Sequence, residues 1–230
     1  MNGTAALTLL LALTATAPPS GGGDLLLIDD FRRGLDTWKT KEFRGRTLYR
    51  IVSEDGKPAL RADSDKAASG LVHERDIDLD HYPILNWSWK IGAVLEKGDA
   101  RSKKGDDYAA RVYVVFPGTF FWQTKALNYI WANRLPQGTV LANAYTASAM
   151  MIAVESGNTH AGEWRQEWRD VRADYRRAFG REPPAARAVA IMTDTDDTGG
   201  QATAWYGPIW FSPQPPAAGS AEDGHGRPAN

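Results

Sequence analysis

The sequence contains no cysteine. Without a thiol there can be no disulfide, no lipid-anchored cysteine and no cysteine nucleophile. The chain also lacks a Gly-rich phosphate loop, a nucleophile elbow and a protein-kinase signature. Histidine is scarce, and no two of the four histidines have the spacing of a zinc site: His73, His81, His160 and His225. These absences predict no cofactor apart from the calcium ion considered below.

The sequence has almost no net charge. Its 27 basic and 28 acidic side chains leave a formal charge of −1. Proteins that hold nucleic acid need a basic patch or stripe to attract the phosphates. No nucleic-acid partner is therefore expected.

Long apolar runs are missing after the first residues of the chain. Residues 5–17 form one short apolar run that ends in Ala15-Thr16-Ala17. This run is too short to cross a bilayer, and the small residues at its end are typical of a secretory signal peptide. We predict a signal peptide over residues 1–17, no membrane span after its removal, and a periplasmic or secreted protein.

Segments rich in proline, glycine, alanine and serine flank the rest of the chain. Such compositions bury too little apolar surface to fold, so residues 18–23 are predicted to be a flexible lead-in and residues 212–230 a disordered tail. Residues 24–211 are long enough for a sizeable core. We predict that they form a single β-sandwich domain.

Short segments of alternating polarity recur between turn residues. Within residues 84–91, Leu85, Trp87 and Trp89 alternate with polar side chains, as in a strand with one face in the core. Residues 47–53 and 59–62 flank a turn that is typical of a β-hairpin. About ten such strands without alternating helices predict a mainly all-β fold, an antiparallel β-sandwich of the jelly-roll type.

One segment has helical spacing instead. Between residues 163 and 179, aromatic and aliphatic side chains recur at intervals of three and four, with arginine and aspartate between them. Gly180 is a suitable C-cap, and the prolines at 183 and 184 prevent any extension. We predict one amphipathic helix over residues 163–179, packed against a sheet.

A mixed polar face is predicted on the strand that follows the charged turn at residues 105–106. Asp107, Arg111 and Tyr113 are separated by even intervals, so they share one side of an extended chain. The intervening residues are apolar and suit a core. The three polar side chains are therefore our first candidates for a ligand-binding surface.

Other strands supply further binding candidates. Asn86, Ser88 and Lys90 share one face and would extend the surface around Arg111 if the two strands were neighbours. Sugar rings can stack on exposed aromatic side chains, and three tryptophans are less clearly internal than the others: Trp122, Trp131 and Trp205.

A candidate metal site lies near the end of the chain. Asp194 and Asp196 stand at alternate positions before a glycine, which resembles the start of a calcium loop. An EF-hand is excluded because Trp205 occupies the twelfth position, where glutamate is required. A simpler calcium site would need distant ligands such as Asp29 or Asp30. The alternative is a turn whose side chains bind backbone amides.

Asp107 is also a candidate catalytic carboxylate. A polysaccharide hydrolase or lyase would need a second acid, such as Glu155 or Asp194, about 5–10 Å away. The alternative is structural, because buried or partly buried acids and arginines commonly form ion pairs.

Six segments of the chain resemble a known family in combination: residues 85–89, 105–116, 128–131, 164–175, 179–180 and 191–196. The sequence is similar to the uncharacterised bacterial family catalogued as domain of unknown function 3047, over nearly all of residues 24–211. The resemblance implies an exported bacterial protein. It also implies a fold similar to the galactose-binding-like jelly roll of many carbohydrate-binding modules, and no established activity.

The sequence thus favours a non-catalytic, exported protein that binds a glycan or another cell-envelope ligand. Two alternatives remain at this point. One is the polysaccharide-acting enzyme that uses Asp107, and the other is a structural or assembly partner in the periplasm.

Overall fold

The computed structural model describes residues 24–118 and 123–217. The predicted signal peptide, lead-in and most of the predicted tail lie outside the described residues, as does Trp122. Within the described residues strands dominate, which confirms the mainly β fold. The strands are β1 (Leu26–Asp29), β2 (Trp38–Arg44), β3 (Leu48–Glu54), β4 (Lys57–Asp65), β5 (Ala68–Ile77), β6 (Ile84–Ile91), β7 (Arg111–Phe116), β8 (Lys125–Ala132), β9 (Val140–Ala142), β10 (Ala149–Ser156), β11 (Arg165–Asp170), β12 (Ala186–Asp194) and β13 (Gln201–Ser212). A short 3₁₀ helix covers Lys103–Gly105, and the helix α1 covers Val171–Phe179.

The strands form two sheets that pack face to face. Sheet A has the order β11-β6-β13-β4-β3, with β1 also paired to β13. Sheet B has the order β2-β5-β12-β7-β8-β10-β9. The predicted β-sandwich is therefore confirmed.

One strand pair departs from the antiparallel prediction. β8 and β10 run parallel, whereas the other pairs among the described strands are antiparallel. Parallel neighbours need a crossover connection, and residues 133–148 provide it. Strand β9 lies within this connection and pairs with β10 from the other side.

The core lies between the two sheets and is rich in aromatic side chains. Trp87 and Trp89 of β6 are fully buried, as their alternation predicted. Trp87 stacks on Tyr129 of β8 with the ring centroids 5.3 Å apart. Trp89 lies against Trp131, also of β8, at 5.8 Å. These contacts join sheet A to sheet B directly.

The predicted helix over residues 163–179 is correct only in its second half. Residues 165–170 form β11, which pairs with β6 along the edge of sheet A. The helix begins at Val171, after Asp170 accepts a hydrogen bond from the amide of Ala173 at 2.9 Å, and Gly180 ends it in the left-handed conformation with φ 68°. The spacing of four between Trp164 and Trp168 fits one face of a strand as well as one face of a helix.

Strand β7 starts later than the sequence predicted. Residues 106–110 lead into it without strand geometry, so the alternation that placed Asp107 on the same face as Arg111 does not apply. Tyr108 packs in a second, smaller apolar cluster with Ile130 and Met151. The side chains of Ile130 and Met151 lie on the outer face of sheet B, because they alternate with the core residues of β8 and β10.

No helix among the described residues combines the length and apolar character that a bilayer crossing requires.

Candidate functional site

Arg111 lies at the centre of a buried polar network on the outer side of sheet B. Its side chain is only 4% exposed. The guanidinium donates two hydrogen bonds to Asp194, one of them from Nε to Oδ1 at 2.9 Å. It also donates to the hydroxyl of Tyr113 at 3.2 Å and to the backbone carbonyl of Asp106. The ring of Tyr108 lies 4.3 Å from the guanidinium carbon, so protein atoms surround Arg111.

Asp107 is fully buried and binds backbone amides. Its carboxylate accepts hydrogen bonds from the amides of Asp197 at 3.3 Å and Thr198 at 2.6 Å. Its backbone carbonyl accepts one from Asn133 at 2.7 Å. Asp107 therefore anchors the turn after β12. The structural alternative considered from the sequence was an ion pair, and the structure gives Asp107 backbone amides as partners instead.

The structure brings the two aspartates of the predicted calcium site together. One carboxylate oxygen each from Asp107, Asp194 and Asp196 lies within 4.8 Å of the others. Burial pushes the pKa of Asp194 upwards; the Arg111 guanidinium opposes this shift, while the carboxylates of Asp107 and Asp106 add to it. Because Arg111 donates to both oxygens of Asp194, it supplies a counter-charge in this cluster. Calcium binding here remains a prediction.

The predicted ligand-binding residues do not share one surface. Arg111 and Tyr113 are in contact on the outer face of sheet B, where Tyr113 is half-buried. Lys90 belongs to β6 in sheet A and points away from the core on the opposite side of the sandwich. Trp131 is fully buried, and its indole N–H donates to the carbonyl of Gly157 at 3.0 Å. Lys90 was expected to extend the Arg111 surface only if the two strands were neighbours, and β6 and β7 belong to different sheets.

Half-exposed tryptophans cluster on the outer face of sheet A. The other described tryptophans, at positions 38, 87, 89 and 131, are buried. We call the half-exposed set the tryptophan face: Trp164, Trp168, Trp205 and Trp210. The sequence pointed to Trp205 but missed the other three.

The tryptophan face has two rows across the strands. In the first row Lys90 of β6 is paired with Trp205 of β13, and Trp164 lies on the other side of Lys90. In the second row Asn86 of β6 lies between Trp168 of β11 and Trp210 of β13. The rows are four residues apart along β6, or about 13 Å.

A β-bulge places both tryptophans of β13 on the same face. Trp205 and Trp210 are five residues apart, so regular alternation would put them on opposite faces. The pairing of β13 with β6 shifts between Tyr206 and Ile209, which adds one residue and restores the outward direction of Trp210. The Gly207-Pro208 pair was the sequence signal for this bulge.

Lys90 is held between two tryptophans. Its ammonium nitrogen lies 4.6 Å from the ring centroid of Trp205 and 5.5 Å from that of Trp164. The same ammonium forms a salt bridge with Glu54. Cation–π contacts and a charged partner together fix the three side chains of the first row.

Arg61 of β4 covers the other side of Trp205. Its guanidinium carbon lies 5.3 Å from the ring centroid, and its N–H groups donate to Asp63 at 2.9–3.1 Å. Burial acts to raise the pKa of Asp63, but the hydrogen bonds from Arg61 and Thr203 outweigh it and lower the pKa. Asp63 is therefore a carboxylate at neutral pH.

The predicted hairpin is confirmed, and its turn places two acids, Glu54 and Asp55, beside the tryptophan face. Asp55 and Gly56 both have positive φ, at 53° and 75°, as in the tight turns that match the twist of paired strands. This turn places Glu54 beside Lys90. It also lets Asp55 accept a hydrogen bond from the indole N–H of Trp164 at 3.1 Å.

A row of buried charged side chains lies between the sheets at the β11 edge. Arg165 donates to Glu155 at 3.0 Å, and Arg169 forms a salt bridge with Asp174. Each of these two pairs is electrically neutral, so Glu167 is an additional acid in the row. Burial raises the pKa of Glu167 to about 8, and the nearby Glu155 carboxylate adds to the shift.

The raised pKa of Glu167 predicts a pH-dependent stability. Between the unfolded pKa near 4.3 and the folded value of about 8, the folded protein holds more protons than the unfolded chain. Stability therefore falls as pH rises through this window, by up to about 1.4 kcal/mol per pH unit. Glu167→Gln should make this slope shallower.

Urea unfolding between about pH 5 and pH 9 measures this slope. The exposed Glu96→Gln is the matched control for the loss of one carboxylate. An equal slope in wild type and Glu167→Gln would show that Glu167 is already ionised in the folded protein.

The fold and the sites described above define a jelly-roll β-sandwich protein. The chain belongs to the family described as "Protein of unknown function (DUF3047)", which matches residues 36–210, so the resemblance noted in the sequence is confirmed. None of the curated proteins compared with the sequence matches it.

Two solved structures illustrate the likeness of the fold. One is the family 30 carbohydrate-binding module of the cellulosomal cellulase Cel9D-Cel44B of Clostridium thermocellum, with 11% identity, a TM-score of 0.47 and coverage of 82% of this chain and 98% of the module. The other is the CBM22-1 xylan-binding domain of Paenibacillus barcinonensis Xyn10C, with 11% identity, a TM-score of 0.38 and coverage of 84% and 97%. At this identity the likeness concerns the fold alone.

Proposed function

We propose that this protein is an exported, non-catalytic glycan-binding protein and that the tryptophan face is its binding surface. The observation that carries the proposal is the presence of four half-exposed tryptophans on one side of sheet A. Large aromatic side chains gathered on a protein surface mark interaction sites. A flat ring offers the apolar contact that the C–H face of a sugar needs. Lys90 and Arg61 lie against Trp205 from its two sides. We therefore assign this stacking contact to the other three members of the tryptophan face: Trp164, Trp168 and Trp210.

Charge favours a glycan over a nucleic acid on this surface. Nucleobases also stack on aromatic side chains, but their backbone requires a positively charged groove. The two cations that lie against the tryptophan rings already have acidic partners, since Lys90 pairs with Glu54 and Arg61 with Asp63. The chain as a whole carries a formal charge of −1.

The candidate catalytic acids favour binding over hydrolysis. Asp107 and Asp194 are close together, but they are 0% and 3% exposed and are bound by backbone amides and by Arg111. Glu155 points between the sheets and pairs with the buried Arg165. A polysaccharide would have to displace these contacts to reach either pair.

Binding to an immobilised panel of neutral, uronate-containing and peptidoglycan-derived oligosaccharides tests the proposal. We expect retention on at least one glycan and a loss of at least about tenfold in affinity for Trp205→Ala, because Trp205 holds Lys90 and Arg61 in place and a central aromatic residue contributes strongly to such binding. Phe43→Ala is the control, since Phe43 is 66% exposed on β2 of the other sheet. It should bind like the wild type.

Two results would contradict the proposal. One is the absence of binding to every glycan, which would favour a protein partner for the tryptophan face. The other is equal binding by wild type and Trp205→Ala. Release of new reducing ends from a bound polysaccharide would instead support the alternative that Asp107 belongs to an enzyme.

A further inference from the structure

We infer that the tryptophan face binds an uncharged oligosaccharide laid along β6, and not a uronate-containing chain or a single sugar. The inference rests on the proposed glycan binding and adds the charge and the length of the ligand. The charge follows from the acids around the first row, and the length follows from the distance between the two rows.

Three carboxylates border the first row. Glu54 binds Lys90, Asp55 accepts the indole N–H of Trp164, and Asp63 binds Arg61. Asp63 forms a second salt bridge with Arg50 at 3.0 Å. A uronate placed on the first row would therefore compete with these carboxylates for cations that are already paired. Like charges placed together at an interface weaken binding strongly.

The same side chains suit hydroxyl groups. A hydroxyl both donates and accepts hydrogen bonds. The ammonium of Lys90 has three N–H groups, of which one donates to Glu54, and carboxylate oxygens can accept more than one hydrogen bond. Lys90 itself is only 8% exposed, but the partly exposed Arg61 and Glu54 present donors and acceptors in the first row, and the charges of the row are paired. This is the pattern that a neutral sugar requires.

The two rows set the length of the ligand. Trp205 and Trp210 are paired with Lys90 and Asn86, so the rows are about 13 Å apart along β6. A single sugar can contact only one row, whereas a chain parallel to β6 can contact both. The first row carries the charged donors and acceptors, so a short ligand should bind there.

The centre of the surface between the rows is low, and the exposed Gln166 of β11 lies beside it, paired with Ser88. Gly207 lies opposite Ser88 in this region, and a β-carbon at position 207 would come within 2.1 Å of the serine hydroxyl. The chain therefore carries no side chain at 207, and Ser88 itself is only 5% exposed. Nothing on these two residues rises between the tryptophan rows.

Titration calorimetry with neutral and acidic oligosaccharides of equal length tests the charge. The probes are cellohexaose, xylohexaose and mannohexaose, compared with hexagalacturonate. We expect at least one neutral hexasaccharide to bind and hexagalacturonate to bind at least about tenfold more weakly. Binding of the neutral probe should also depend little on salt between about 50 and 500 mM, because exposed charges contribute little to it.

Chain length is tested with the disaccharide of whichever neutral series binds. The hexasaccharide should bind at least about tenfold more tightly than the disaccharide, since a second aromatic contact is gained. Trp210→Ala should lower the affinity for the hexasaccharide to that for the disaccharide. Trp168→Ala removes the other tryptophan of the second row, which lies on β11. This variant keeps the test valid if Trp210→Ala does not fold.

The outcomes separate this inference from the function on which it rests. The inference is overturned, while the proposed glycan binding stands, if hexagalacturonate binds as tightly as the neutral hexasaccharide or more tightly and Trp205→Ala weakens that binding. The same holds if disaccharide and hexasaccharide bind equally, or if both second-row variants bind the hexasaccharide like the wild type. If no hexasaccharide of either charge binds, the inference and the proposed function fail together.

Discussion

Arg111→Met is expected to lower the free energy of unfolding by about 3–5 kcal/mol, because it breaks a buried ion pair from one side. Asp194 would remain buried at 3% exposure without its guanidinium partner. The hydroxyl of Tyr113 and the carbonyl of Asp106 would lose a donor as well. Urea unfolding followed by circular dichroism measures the loss.

A matched substitution separates burial from charge. Arg176→Met removes an exposed arginine of the helix that pairs with Glu182, and it should cost much less than Arg111→Met, because exposed salt bridges contribute little to stability. The double variant Arg111→Met/Asp194→Asn should recover part of the loss, since the unpaired carboxylate is then absent. If Arg111→Met were as stable as the wild type, Arg111 would not be needed for folding and its role as a ligand-binding residue would gain support.

Trp87→Ala is expected to cost about 3–5 kcal/mol through the cavity that it leaves in the core. The side chain is fully buried and packs on Tyr129 of the facing sheet and on Trp89 of its own strand, with both ring centroids 5.3 Å away. The loss therefore weakens the contact between the two sheets. Thermal and urea unfolding measure the effect.

Trp87→Phe should cost clearly less than Trp87→Ala. Phenylalanine keeps most of the aromatic contact. It also removes an indole N–H that is buried without a hydrogen-bond partner among the described residues, and an unsatisfied buried donor is itself destabilising. Trp168→Ala on the half-exposed tryptophan face is the control and should have a smaller effect on stability. Equal losses for Trp87→Phe and Trp87→Ala would contradict this account.

The sequence identified the strands and the core better than it identified the site. In β6 the alternation of Leu85, Trp87 and Trp89 predicted the inward face correctly, because a strand has a period of two wherever it lies. The segment 163–170 was misassigned for a related reason. A spacing of four between Trp164 and Trp168 fits both a helix and a strand, and only the pairing with β6 distinguishes them.

The ligand-binding surface depended on features that local patterns do not contain. Alternation gives each strand two faces but does not say which outward face another segment covers. Arg111 points outward from sheet B, yet Asp194, Tyr108 and Asp106 bury it. Trp210 joins Trp205 on one face only because a β-bulge changes the register of β13.

For this protein the sequence by itself determined the mainly β fold, the hairpin turn at residues 54–58, the aromatic core and the family. These depend on short-range periodicity, on turn residues and on combined motifs. Only the tertiary structure decided that Arg111 is a buried structural residue and that four tryptophans from two strands and one loop share a surface. Both outcomes depend on which strands become neighbours and on what covers them, and contacts between residues distant in sequence decide that.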